Sequence, residues 1–135
     1  MPHSSRNYPF ELLNKYPHLK PADIAIWERF IVQYPGVYEF VRYDVPVGSP
    51  PPFSTLVSPE TGGDDALLYA RKIDVIGFFA NLIDIIEIKP RAGTSALGQV
   101  KGYARLYIRD HRPSAEVHAA VITDRIDVDI RELAE

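Results

Sequence analysis

From Pro21 to Gln33 apolar residues recur at helical spacing, so that Ile24, Trp27, Ile31 and, just past the end, Tyr34 would share one face. Pro21 suits a first helical position and Pro35-Gly36 stops the run. The period then shortens. Val37 to Val47 reads as a strand ended by Gly48, and Arg71 to Phe79 as a second. Ile83 to Lys89 reads as a third, with Asn81 in a tight connection before it and Pro90-Arg91-Ala92-Gly93 ending it. Ser95 can cap a helix running from Ala96 to about Arg109, with Pro113 just beyond. Val117 to Thr123 reads as a fourth strand, and Asp127 or Asp129 can cap a short last helix through Leu133. Residues 1–20 read as an irregular arm that lays Tyr8, Phe10 and Leu13 on the body. Residues 48–66 are too rich in Pro and Gly for a regular element and read as one long loop. The order α-β-β-β-α-β-α predicts a single α/β domain over 1–135, a mixed central β-sheet flanked by helices. The third strand, the helix and the fourth strand are expected to form a right-handed parallel crossover. No internal repeat is present.

Composition narrows the chemistry. The chain has 135 residues, 46% hydrophobic and 24% charged, ordinary values for one globular domain. No apolar run approaches the roughly 18 residues of a membrane span. The start, Met1-Pro2-His3-Ser4-Ser5-Arg6, lacks the apolar segment of a secretory signal. An intracellular, cytoplasmic protein is expected, in the cytoplasm of a host cell if a phage encodes it. There is no cysteine, so any metal must be held by Asp, Glu, His or backbone oxygen, a donor set that favours Mg²⁺, Mn²⁺ or Ca²⁺. The four histidines (His3, His18, His111, His118) show no metal-ligand spacing. The net charge of -3 means that contact with nucleic acid requires a local basic patch.

The second and third strands carry the candidate chemistry. Side chains alternate along a strand, so Glu87 and Lys89 share one face and Asp84 points to the other. A two-residue turn at Ala80-Asn81 sets Asp74 opposite Glu87. A four-residue connection sets it opposite Lys89, and a three-residue one opposite Ile88. In the first two registers two acids and a lysine meet on one sheet face. An acid and a lysine on neighbouring strands are most simply a solvated salt bridge. Here the flanking residues Ile73, Val75, Ile76, Phe78, Phe79, Ile83, Ile85, Ile86 and Ile88 are expected to bury the sheet, and buried charges are costly unless used. A hard divalent ion between Asp74 and Glu87 would relieve their repulsion and catalyse phosphodiester hydrolysis, with the Ile88 carbonyl as a third ligand. Lys89 would hold the attacking water or stabilise charge on phosphate.

Asp74, then Glu87-Ile88-Lys89, then a helix bearing Gln99 and Tyr103, resembles the PD-(D/E)XK phosphodiesterase superfamily. The resemblance covers Pro21 to Thr123 and implies a restriction-endonuclease-like core. It implies that Asp74 and Glu87 bind Mg²⁺, with Mn²⁺ as a substitute, and that Lys89 is the catalytic lysine. A glutamate on the first helix supports the metal in many members, and that role falls here to Glu28. The chain departs from the pattern at Ile73, where the motif has proline. Gln99-Val100-Lys101-Gly102-Tyr103 matches the Q-x-x-x-Y branch, and Arg71-Lys72-Ile73-Asp74 is similar to archaeal-type Holliday junction resolvases.

The resemblance implies a Mg²⁺-dependent deoxyribonuclease that leaves a 5′-phosphate and a 3′-hydroxyl, with DNA as its partner. A junction resolvase would require a symmetric homodimer. The alternative is a catalytically inactive nuclease-fold module that binds DNA or assembles with it. Hydrolysis of another substrate is a third reading, less suited to the basic residues. Individual residues have plainer readings too. Glu28 can pair with Arg29 or Arg42, and Tyr103 can be core. Gln99 is harder to explain as core because its amide needs partners. Lys101, Arg105 and Arg109 form a stripe that is by default a solvated face. With Arg71, Lys72 and Arg91, and with Tyr103 beside them, Lys101 and Arg105 are candidates for phosphate contact.

Overall fold

The computed structural model describes residues 6–48 and 71–126. Within them the chain forms α1 (Pro21–Gln33), β1 (Phe40–Val47), β2 (Arg71–Phe79), β3 (Leu82–Ala92), α2 (Thr94–His111) and β4 (Glu116–Ile126). This is an α/β arrangement in which two helices accompany a four-stranded mixed sheet of order β1-β2-β3-β4. β1–β2 and β2–β3 are antiparallel, and α2 is the crossover that makes β4 parallel to β3. The expected last helix, and all of the expected 48–66 loop except Gly48, lie outside the described residues. Among the described residues no helix is long and apolar enough to cross a membrane.

Alternation along β3 divides the core. Ile86 and Ile88 pack with Val41, Tyr43 and Val75 against Ile26, Trp27 and Ile31 of α1. Ile83 and Ile85 pack with Ile76 against Val100, Tyr103, Ala104 and Tyr107 of α2. The helices therefore cover opposite faces of the sheet. Trp27 is fully buried and donates its indole N–H to the Tyr43 hydroxyl at 2.9 Å. The N-terminal arm closes the outer edge of β1, where Tyr8 and Val41 exchange both backbone hydrogen bonds. Phe10 is buried edge-on against Trp27 and Tyr38, and Leu13 packs on the same core, as the arm's apolar residues require.

Several boundaries differ from the sequence reading. β1 begins at Phe40 rather than Val37, because Val37 still closes a turn by donating to the Tyr34 carbonyl. Tyr34 leaves the helical face: it is the C-cap of α1, half exposed, and Ile26 takes the buried position instead. β3 continues through Pro90 to Ala92. Its pairing with β2 ends at Ile86, so the N–H that Pro90 lacks is not needed on that side, while β4 pairs to the end. Ser95 does not cap α2; the N-cap position is Gly93, without a side-chain cap bond. The helix ends at Arg112, whose left-handed backbone (φ 44) directs its N–H to the Ile108 carbonyl.

Candidate metal and phosphate site

The turn between β2 and β3 is the two-residue form. Phe79 pairs with Leu82 across Ala80-Asn81, and the ladder runs back to Val75 opposite Ile86. The next step along both strands is Asp74 and Glu87, and there the ladder stops. Ile88 donates its backbone N–H to Asp74 Oδ2 at 2.9 Å, so a side chain takes the acceptor place a β2 carbonyl would fill. Residues in a ladder aim N–H and C=O to the same side, so the Ile88 carbonyl faces this gap too.

Glu87 is 6% exposed, the only buried charged side chain among the described residues. It feels the charge of Asp74 and lies with Oε2 3.7 Å from Lys89 Nζ. Burial first, and the neighbouring Asp74 charge second, push the Glu87 carboxyl up to about 7 against the pull of Lys89. Burial also raises Asp74, opposed by the Ile88 N–H. Among the described residues no three His, Cys, Asp or Glu side chains close around one point. The donor set is thus a carboxylate pair with a backbone carbonyl, all hard oxygen, and it fits a divalent ion such as Mg²⁺ that keeps several waters.

Two further residues join this group. Asp23, in the first turn of α1, acts electrostatically on Asp74, Glu87 and Lys89, and burial raises its own carboxyl. Lys20, just before the helix, acts on both Asp23 and Asp74. The available signal for them was an acid in the first helical turn behind Lys20-Pro21.

Glu28, expected at the metal, is not brought there. Its Oε2 accepts the Tyr16 hydroxyl at 2.9 Å, and its plainer reading as a partner of Arg29 or Arg42 is not observed either. Asp23 and Glu28 are five residues apart, about 140° around the helix, so both cannot face one site. Gln99 donates to the Tyr103 hydroxyl at 2.9 Å, and neither is bonded to Asp74, Glu87 or Lys89. Tyr103 is 8% exposed, which places its ring in the core rather than on a binding face. Arg71, Lys72, Arg91, Lys101 and Arg105 are exposed. Lys72 lies 3.6 Å from Asp44, whereas Arg109 is occupied by Asp110. Asp84 faces away from Glu87 and accepts the Tyr38 hydroxyl at 2.6 Å. Cavities of about 370 and 540 Å³ flank α1 around Arg29 and Gln33, and neither is lined by Asp74, Glu87 or Lys89.

In comparison with known proteins, no family model matches the chain, and no curated protein and no solved structure matches it.

Proposed function

We propose that this chain is a metal-dependent nuclease that hydrolyses DNA phosphodiester bonds at Asp74, Glu87 and Lys89. The observation that carries the reading is the burial of Glu87 against Asp74, with Lys89 3.7 Å away, where two paired strands part. A folded chain gains no stability from burying two adjacent carboxylates, and such a pair is what a hard cation requires. Bound Mg²⁺ or Mn²⁺ would supply Lewis acidity and an activated water. Asp74, oriented by the Ile88 N–H, and Glu87 would hold the ion, with the Ile88 carbonyl beside them. Lys89 is 41% exposed at its side chain, so its ammonium is open to a phosphate arriving from solvent and would stabilise charge there. Asp23 would take the supporting acid role first assigned to Glu28.

The restriction-endonuclease-like core of the PD-(D/E)XK superfamily belongs to the same proposal. It is supported by the order of the described elements and by Asp74 meeting Glu87 across β2 and β3. Arg71, Lys72, Arg91, Lys101 and Arg105 would contact backbone phosphates. Gln99 would tune the site only after leaving Tyr103.

The test is cleavage of a labelled four-way junction, a linear duplex and a single strand, with Mg²⁺, Mn²⁺ or chelator, by wild type and Asp74→Asn. Metal-dependent cutting by wild type alone is the expected result, and preference for the junction would identify a resolvase acting as a symmetric dimer. Tight binding without cutting of any substrate by well-folded protein would replace this reading with a nuclease-fold binding module.

A further inference from the structure

Side chains two residues apart on a regular strand face the same way. In β1 and β2 that rule fails at one place. Val41 and Tyr43 pack into the α1 core, but Val45 and Val47 pack into the α2 core. Opposite them Val75 packs with α1 and Ile73 with α2. The pairing itself does not slip: Tyr43 remains opposite Val75, and Val45 opposite Ile73. Both strands turn over together between these pairs. The residues in between, Asp44 and Asp74, are the two that the register passes over.

Asp44 has φ 56, in the left-handed region, which Asp, Asn and Gly enter far more readily than other residues. A left-handed residue in a strand rotates the backbone that follows and adds local twist. Its neighbour across the ladder must follow. Asp74 is consequently released from regular alternation, and its carboxylate lies against β3 on the Ile88 N–H. The same turn accounts for the end of the β2–β3 ladder at Val75 and Ile86. The gap in which Asp74 and Glu87 meet is made on β1, a strand that contributes no group to it. Around the turn, Asp44 Oδ2 lies 3.6 Å from Lys72 Nζ and 3.5 Å from His18 Nε2, with its side chain largely covered.

The geometry points to Asp44 as the positioning residue of the site, acting through its backbone conformation to set the Asp74 carboxylate against the Ile88 N–H, beside a Glu87 that the register already places opposite it. Its catalytic consequence rests on the nuclease reading; its structural consequence does not. The requirement is for a left-handed residue rather than for a charge. Asp44→Gly and Asp44→Asn keep that conformation accessible, and both lose the charge that faces Lys72 and His18. Asp44→Ala and Asp44→Val oppose it, valine more strongly.

The experiment compares all four variants with wild type by two readings: the Ile88 amide resonance in a two-dimensional amide spectrum, and the rate of DNA cleavage. The Gly and Asn variants are expected to keep the Ile88 resonance and the rate. The Ala and Val variants, with otherwise dispersed spectra, are expected to move that resonance and to lower kcat roughly 10- to 100-fold, with KM for DNA little changed. If the Val variant does not fold, the Ala variant decides. An unmoved Ile88 resonance in the Ala variant overturns the proposal. So does an equal loss in the Gly and Asn variants, which would place the effect in the carboxylate. If wild type cuts no DNA, the nuclease reading fails, and the Ile88 resonance still decides the role of Asp44.

Discussion

Glu87 leaves water for a position between two strands, and burial favours its neutral form; the Asp74 charge beside it acts in the same direction. The folded carboxyl titrates near 7, against 4.5 for an unperturbed glutamate. Between these values the folded chain holds a proton that the unfolded chain has released. The stability contributed by neutral Glu87 is complete below the lower value and is lost as pH rises through the upper one, by about 1–3 kcal/mol. Thermal unfolding between pH 5 and 8 is expected to show a midpoint that falls for wild type and falls much less for Glu87→Gln. Equal slopes would show that Glu87 is not under this stress. At pH 8 the same substitution should abolish cutting while leaving DNA binding equal or tighter, since it removes a negative charge near phosphate. Cleavage at the wild-type rate would remove Glu87 from the site. The three residues were legible as candidates, but the sequence left two-, three- and four-residue connections open, and only the two-residue turn of the fold sets Asp74 opposite Glu87. Asp23 and Lys20 were not legible. Which side of α1 faces the sheet end depends on the helix's rotation, and an apolar stripe locates that only coarsely.

A single missing atom organises the β1–β2 pair. A Cβ built on Gly77 would stand 2.5 Å from the Tyr38 ring, so glycine is what allows that ring to cross β2 and give its hydroxyl to Asp84 on β3. Gly77→Ala is expected to destabilise the fold by about 1–3 kcal/mol in denaturant melts. The loss should shrink when Tyr38→Ala is added, because the two changes share one contact. Independent, additive losses would mean that Tyr38 does not occupy that space. Element boundaries were readable where local chemistry sets them, as at Pro21 and at the end of β2 at Phe79. They were misread where a partner decides. The end of β3 depends on β4 pairing past Pro90, and the left-handed Asp44 gives no signal in an otherwise regular apolar–polar alternation.

The whole chain carries a net charge of -3, yet Lys20 and Lys89 act on the carboxylates, Arg71, Lys72 and Arg91 are exposed on the same two strands, and Lys101 and Arg105 are exposed on α2. Lys101→Ala and Arg105→Ala should each weaken DNA binding about equally on different sequences and lower the salt dependence, the slope of log K against log salt, by about 1. Unchanged slopes would place the DNA elsewhere. At this scale the sequence revealed the order of strands and helices, because each period is local. It could not reveal that Glu28 turns to Tyr16, since that contact depends on where the N-terminal arm settles. The most direct test of the site is a titration of Mn²⁺ at pH 8, followed by electron paramagnetic resonance, into wild type and Asp74→Asn. Saturable binding in wild type that is lost in the variant is the expected result. Absence of binding, or equal binding by both proteins, would contradict a metal centre at Asp74 and Glu87.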